Sequence, residues 1–109
     1  RAVLMNAPRK PDGPPVKNGL PYSRIAHLAE DMVPFVAMAE GLRDIGLSTP
    51  EIEAVDLDQG FLIIEDLGGD GVVKDGAPIA DRYMAAVDAL ALIHARPRPA
   101  TLGTPKGAY

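Results

Sequence analysis

The chain of 109 residues contains no cysteine, which excludes disulfides, thiolate metal sites and a cysteine nucleophile. No stretch concentrates lysine or arginine and the formal net charge is −4, so the sequence does not indicate a nucleic-acid-binding surface. No uninterrupted apolar run is long enough to span a bilayer, and no signal peptide is visible. We therefore predict a cytoplasmic protein with neither nucleic acid nor membrane as a partner.

The composition is otherwise that of a globular chain, with 47% apolar and 24% charged residues. This length supports one domain at most and buries about two thirds of the unfolded surface. The chain opens on Arg1 and enters a strand-like run over residues 2–5 at once, and Arg96-Pro97-Arg98-Pro99 interrupts its last helix before a tail rich in glycine and proline. We therefore expect the chain to be part of a larger protein.

A core-packing helix is predicted from about Met32 to Ile45. Apolar residues recur along it at spacings of three and four, which gives one apolar face. Asp31 is a suitable cap, and Pro34 is tolerated in the first turn because an N–H there has no helical partner. Gly46 fits the left-handed position that ends the helix, with Leu47 folding back onto the last turn.

A β-hairpin is predicted directly after this helix. Apolar and acidic residues alternate from Ile52 to Leu57, which is the period of a half-buried strand. Asp58-Gln59-Gly60 supplies a short turn with glycine at its end. Phe61-Leu62-Ile63-Ile64 is apolar at every position, so we expect a central strand that is covered on both faces.

Two segments are predicted to lack regular structure. Residues 7–30 form a loop because prolines and glycines crowd positions 7 to 23, with a short helical turn expected within residues 24–30. Lys10 and Lys17 could reach a phosphate, although a surface insertion is the simpler interpretation. Gly68, Gly69 and Gly71 could cradle a phosphate, but no Lys-Ser/Thr pair follows, which favours a flexible connector.

The last predicted helix runs from Ala80 or Asp81 to His94. Its apolar face is broad, with Tyr83, Val87 and Leu90 at helical spacing, and such a face implies burial against more protein than this chain contains. His94 and His27 are interpreted as structural residues, because neither has a partner at a catalytic spacing.

Several of these segments together resemble a known family. Residues 42–67 resemble the amino-terminal lobe of the aminoglycoside phosphotransferase-like kinases, and residues 89–95 resemble the Leu-His-Ala helix that follows the hinge in that family. Residues 3–8, 34–36 and 61–68 are more narrowly similar to the sugar kinases that phosphorylate N-acetylmuramate and N-acetylglucosamine at the anomeric carbon. The resemblance covers nearly the whole chain except residues 9–30 and the tail.

The resemblance implies an α+β fold, a protein-kinase-like amino-terminal lobe in which an antiparallel sheet carries a packed helix. Residues 1–67 would be a partial nucleotide-binding lobe, residues 68–79 the hinge and linker, and residues 80–109 the start of a truncated carboxy-terminal lobe. ATP would lie beneath the sheet, with adenine against the backbone of the hinge and apolar side chains above it. The cofactor-binding residues it implies are Glu65, Asp66, Leu67, Val3 and Ile64, with Ile52 in support.

The chain also departs from the family's pattern. The strand lysine that grips the nucleotide phosphates falls near Met5, and its glutamate partner falls near Phe35, with Glu30 and Asp31 as nearby alternatives. The kinases of N-acetylmuramate and N-acetylglucosamine resemble this chain in lacking both the lysine and its glutamate partner at these positions. The sequence contains no His-x-Asp-x-x-x-x-Asn catalytic loop, so we expect no catalytic residue and no metal ligand within it. The Mg²⁺ ligands would lie outside this chain, which alone would not transfer phosphate.

Two hypotheses from different classes follow. The first is that the chain is the nucleotide-side part of an ATP-dependent small-molecule phosphotransferase that acts on a hydroxyl of a sugar or amino sugar. The alternative is a non-catalytic α+β binding or regulatory module whose hairpin and helices serve a protein interface. The acceptor is left open by the sequence among an amino sugar, an aminoglycoside, choline and a peptidoglycan-recycling sugar.

Overall fold

The computed structural model describes residues 1–26 and 28–109, so the interpretation of His27 lies outside the described residues. The described elements, in chain order, are β1 (Ala2–Asn6), β2 (Pro15–Lys17), β3 (Leu20–Pro21), α1 (Tyr22–Ile25), α2 (Val33–Asp44), β4 (Ile52–Asp56), β5 (Phe61–Glu65), β6 (Val73–Lys74), β7 (Ala77–Pro78), α3 (Ala80–Ala95), β8 (Gly103–Thr104) and β9 (Gly107–Ala108). Helices and small antiparallel sheets therefore make a mixed α+β structure, as predicted.

The main sheet has three antiparallel strands in the order β1-β5-β4. The all-apolar strand β5 is central, which confirms its predicted position. The prediction that it is covered on both faces is wrong. Leu62 is fully buried, whereas Phe61 and Ile63 on the opposite face are each 38% exposed, because no second layer covers that face within residues 1–26 and 28–109.

The core lies between this sheet and α2. Met32 and Val36 meet Leu62 there, and a ring of partly buried apolar side chains surrounds the three: Met5, Ala7, Phe35, Ile52, Leu57 and Ile64. The observed helix ends within one residue of the predicted limits at each end. Gly46 follows the helix at φ +92°, which confirms the predicted carboxy-terminal end. The predicted cap is displaced by one residue: Met32 is the N-cap, and the carboxylate of Asp31 before it accepts the N–H of Val33 at 3.0 Å.

The predicted loop and linker contain short hairpins, which corrects the expectation of no regular structure. Strands β2 and β3 pair across Asn18-Gly19, and strands β6 and β7 pair across Asp75-Gly76. Both residues of each turn have positive φ, between 52° and 77°, which is the type I′ geometry that Asn-Gly and Asp-Gly favour. A third hairpin, β8–β9, replaces the expected irregular tail.

Helix α3 begins at the predicted residue and stands away from the core. None of its residues is buried, and its side chains at 83, 84, 87 and 90 are 46 to 61% exposed. The chain exposes 8200 Å², compared with about 5,800 Å² for a folded monomer of this mass. Among the described residues, no helix is long and apolar enough to cross a membrane.

Candidate functional site

The predicted hinge begins with Glu65, whose polar groups are already bound within the chain. Its backbone N–H donates to the carbonyl of Glu51 at 2.8 Å, and its side-chain Oε2 accepts the N–H of Glu51 at 3.1 Å. This carboxylate therefore fastens the end of β5 to the residue that precedes β4. The Glu65 side chain is therefore used as a hydrogen-bond acceptor for the backbone that leads into β4.

Asp66 is likewise engaged. Its side chain is only 13% exposed and lies 2.5 Å from Nε of Arg1, while its Oδ1 accepts the N–H of Gly68 at 2.8 Å. Its own N–H donates to the carbonyl of Arg1 at 3.4 Å. A carboxylate that accepts a backbone N–H two residues ahead closes an Asx turn, so Asp66 shapes the backbone that leaves the sheet.

Leu67 differs from these two acidic residues. Within the part of the chain that the structure describes, its backbone N–H makes no hydrogen bond, and its side chain is 64% exposed. The carbonyls of Asp66 and Leu67 also accept no bond within that part. The turn therefore leaves one backbone donor and two backbone acceptors without partners in the described residues, and such groups can hydrogen-bond a polar ligand.

The predicted apolar contacts, Val3 and Ile64, lie opposite each other in the sheet. They are direct partners in the β1–β5 register, and Ile52 is the partner of Ile64 on the other side. The three side chains therefore share the face of the sheet that α2 partly covers. Val3 is 41% exposed and Ile64 is half-buried, so this end of the face is apolar and still accessible.

Met5 and Phe35 occupy the positions where the family pattern has a lysine and a glutamate. Both side chains pack against the same core cluster of Met32, Val36 and Leu62. The two positions therefore contribute apolar contacts to the core. Of the two suggested substitutes, Asp31 accepts the N–H of Val33 at the start of α2, and Glu30 belongs to a separate cluster of charged side chains.

That cluster lies in the segment before α2 and was not predicted. Asp12 accepts hydrogen bonds from Ser23 Oγ and from Arg24 Nε, the latter at 3.1 Å. Arg24 Nε also lies 3.7 Å from Oε1 of Glu30, and Nη2 of Arg9 lies 3.9 Å from Oε2 of Glu30. The bonds from Ser23 and Glu30 lower the pKa of Asp12, whereas the hydrogen bond to Asp12 raises the pKa of Glu30. The interaction between the two carboxyl groups therefore favours the charged form of Asp12 and the protonated form of Glu30.

A groove of about 440 Å³ lies beside this cluster at the start of α2. It is lined by Ser23, Arg24, Leu28, Ala29, Glu30, Asp31, Val33, Pro34 and Tyr109. None of the predicted cofactor-binding residues is among them. The structure also shows no group of three potential metal ligands within residues 1–26 and 28–109.

Comparison with known proteins gives one informative match. No family profile matches the chain, and no solved structure matches it. An N-acetylmuramate/N-acetylglucosamine kinase from Caulobacter vibrioides is 40% identical over an alignment of 104 positions, which covers 91% of this chain and 29% of that protein. The chain thus spans less than a third of the length of the relative that it matches. The match supports a relation of this chain to a sugar kinase.

Proposed function

We propose that this chain is the nucleotide-side part of an ATP-dependent sugar kinase that phosphorylates an N-acetylated amino sugar. The observation that carries the proposal is the 40% identity to an N-acetylmuramate/N-acetylglucosamine kinase. In this proposal residues 1–67 bind the nucleotide, residues 68–79 link two lobes and residues 80–109 begin the second lobe. ATP and Mg²⁺ are the expected cofactors, and the Mg²⁺ ligands and catalytic base lie outside the chain.

The free backbone groups at Leu67 support adenine as the ligand of the hinge. Adenine offers a ring-nitrogen acceptor beside an amino donor, which can pair with a backbone N–H and with a backbone carbonyl. The accessible pair of Val3 and Ile64 gives an apolar surface on which a purine can lie, since nucleotide sites are mostly apolar with a few placed polar groups. The hinge is then recognised through its backbone, and its carboxylates keep that backbone in shape.

A proline substitution tests this arrangement directly. Leu67→Pro removes the backbone N–H, and Leu67→Ala is the matched control because it shortens the side chain and keeps the N–H. Titration of a fluorescent ATP analogue should show weakening of about tenfold for the proline variant, the loss of roughly one hydrogen bond. Equal affinities for the two variants would reject the Leu67 N–H as an adenine donor.

The activity itself is tested in the longer parent protein. ADP release with ATP and Mg²⁺ is followed for N-acetylmuramate, N-acetylglucosamine, an aminoglycoside and choline in parallel. We expect turnover with the N-acetylated sugars and none with the 109-residue chain. Turnover with choline or the aminoglycoside alone would reject the sugar assignment, and ATP binding without any turnover would reject kinase activity towards this panel.

A binding module is the second candidate, and one observation favours it. The exposed face of α3 carries four large apolar side chains that are 46 to 61% exposed, and such surfaces often mark protein interfaces. If this candidate holds, the parent neither binds ATP nor hydrolyses it. The fluorescent-nucleotide titration therefore separates the two functions.

A further inference from the structure

Residues 102–109, which we call the latch, form a closed hairpin after α3. Leu102 and Tyr109 exchange two backbone hydrogen bonds of 3.0 and 2.8 Å at its base. The hydroxyl of Thr104 donates to the carbonyl of Gly107 at 2.7 Å and accepts the N–H of Lys106 at 3.2 Å. The turn is therefore fixed from within, and the hairpin is a preformed unit.

The latch lies against α2, and the point of contact is a glycine inside the helix. A Cβ built on Gly41 would lie 2.7 Å from one Cδ of Leu102 and 3.2 Å from the other. Strand β8 packs against this helix. Glycine in a helix interior costs stability relative to alanine, so its presence at 41 is explained by the space that Leu102 fills.

A second contact joins the latch to the main sheet. Nζ of Lys106 lies 2.6 Å from Oδ1 of Asp58, in the turn between β4 and β5. The hydrogen bond from Lys106 lowers the pKa of Asp58. Both side chains are exposed, at 45 and 83%, so this ion pair adds little stability and serves mainly to orient the hairpin.

We propose that residues 102–109 form a latch that docks on α2 and on the β4–β5 turn, at the end of the main sheet opposite the hinge, and fixes the segment 68–101 relative to the sheet and α2. The segment leaves the sheet at Asp66, and its helix α3 makes only sparse contacts with the elements before it. The latch supplies the second attachment, so the chain from the hinge to Leu102 forms a closed loop. A role of the latch in opening and closing a nucleotide site rests on the proposed function. The docking of the latch on α2 does not depend on that function.

A double-mutant cycle tests the contact between Gly41 and Leu102. In the Leu102→Ala background, Gly41→Ala should raise the folding equilibrium constant about fivefold in urea titrations, which is the gain expected for alanine in an open helix. In the native background, Gly41→Ala should raise the folding equilibrium constant by less than this or lower it, because the new methyl group meets the side chain of Leu102. An equal gain in both backgrounds would overturn the docking of Leu102.

The effect of the latch on the position of α3 relative to the sheet is measured without nucleotide. A negative result therefore rejects the latch without bearing on the kinase proposal. Since the chain has no cysteine, Glu53→Cys on β4 and Asp88→Cys on α3 give unique sites for a nitroxide pair. Distances between the labels should be narrowly distributed in the native background and clearly broader after Leu102→Ala. The control Val73→Ala, at a 51% exposed position of another hairpin, should leave the distribution unchanged. Equal widths for the native and Leu102→Ala chains would overturn the latch.

Discussion

Gly60 offers the sharpest test of the fold, because two separate requirements for glycine meet there. It ends the β4–β5 turn at φ +75°, a conformation that costs an L-residue roughly 1–2 kcal/mol. A Cβ at this residue would also lie 2.5 Å from the carbonyl oxygen of Ala7 and 2.6 Å from Cα of Pro8. Both neighbours are backbone atoms, so no side chain can rotate away.

The cost of Gly60→Ala follows from this geometry. The N–H of Ala7 donates to the carbonyl of Gly60 at 2.9 Å, so relief of the overlap pulls this hydrogen bond apart. Overpacking typically costs about 1–3 kcal/mol, and together with the backbone cost we expect a loss of about 2–5 kcal/mol. That is a large part of the about 5–15 kcal/mol that stabilises an ordinary domain.

Gly46→Ala is the matched control, since Gly46 also has positive φ, +92°, but no atom would lie within 4 Å of a Cβ added there. Only the backbone cost applies, so the expected loss is about 1–2 kcal/mol. Urea unfolding followed by far-ultraviolet circular dichroism measures both, with an osmolyte present if the Gly60 variant is largely unfolded without denaturant. Losses that agree within about 0.5 kcal/mol would refute the close approach of Ala7 and Pro8 to Gly60.

Two further predictions concern the core and the carboxyl pair. Leu62→Ala should cost about 2–5 kcal/mol in urea unfolding because its side chain is fully buried, while Ile63→Ala on the open face should cost less than half as much; equal costs would contradict the one-sided sheet. The raised pKa of Glu30 means that protonation of this carboxyl group stabilises the fold at low pH, and that this contribution is lost as the pH rises through that pKa. Glu30→Gln keeps a hydrogen-bond donor for Asp12, so its stability relative to the native chain should increase from pH 4.5 towards neutral pH, and a pH-independent difference would contradict the raised pKa of Glu30.

The middle of the chain was predictable from sequence because its signals are local. Helix α2 has apolar residues at helical spacing and Gly46 at its end, and the following hairpin has alternation and a turn that ends at Gly60. Each of these patterns determines a backbone conformation within a few residues. The predicted limits accordingly lie within one residue of the observed helix.

The short hairpins were missed although their turn signals are present. Asn18-Gly19 and Asp75-Gly76 are favoured type I′ pairs, but their strands contain only two or three residues, too few to show a period of two. The prolines around residues 8–21 favoured a loop instead. The contact between Gly41 and Leu102 has no local signal at all, because a glycine in a helix does not identify the distant side chain that fills its place.

In the candidate site, too, the order of the residues was predictable from the sequence, whereas the contacts of their side chains were not. The family resemblance places Glu65 and Asp66 at a hinge after an apolar strand, and it implies that their backbone groups bind adenine. Their actual partners, the backbone of Glu51 and the side chain of Arg1, become neighbours only when the strands pair. What remains for a ligand is the backbone at Leu67, a feature that no residue type encodes.

Met5 and Phe35 determine how a nucleotide could be held by this half of the site. Both pack against one apolar cluster that includes the fully buried Leu62, and an unpaired lysine at position 5 would place its ammonium next to that cluster. Burial of a charge without a partner is strongly unfavourable, so reintroducing the lysine alone would destabilise the sheet, and the two positions must change together. In the proposed kinase, this sheet therefore contributes adenine contacts through Leu67 and an apolar surface through Val3 and Ile64, while the cations that neutralise the phosphates come from other positions.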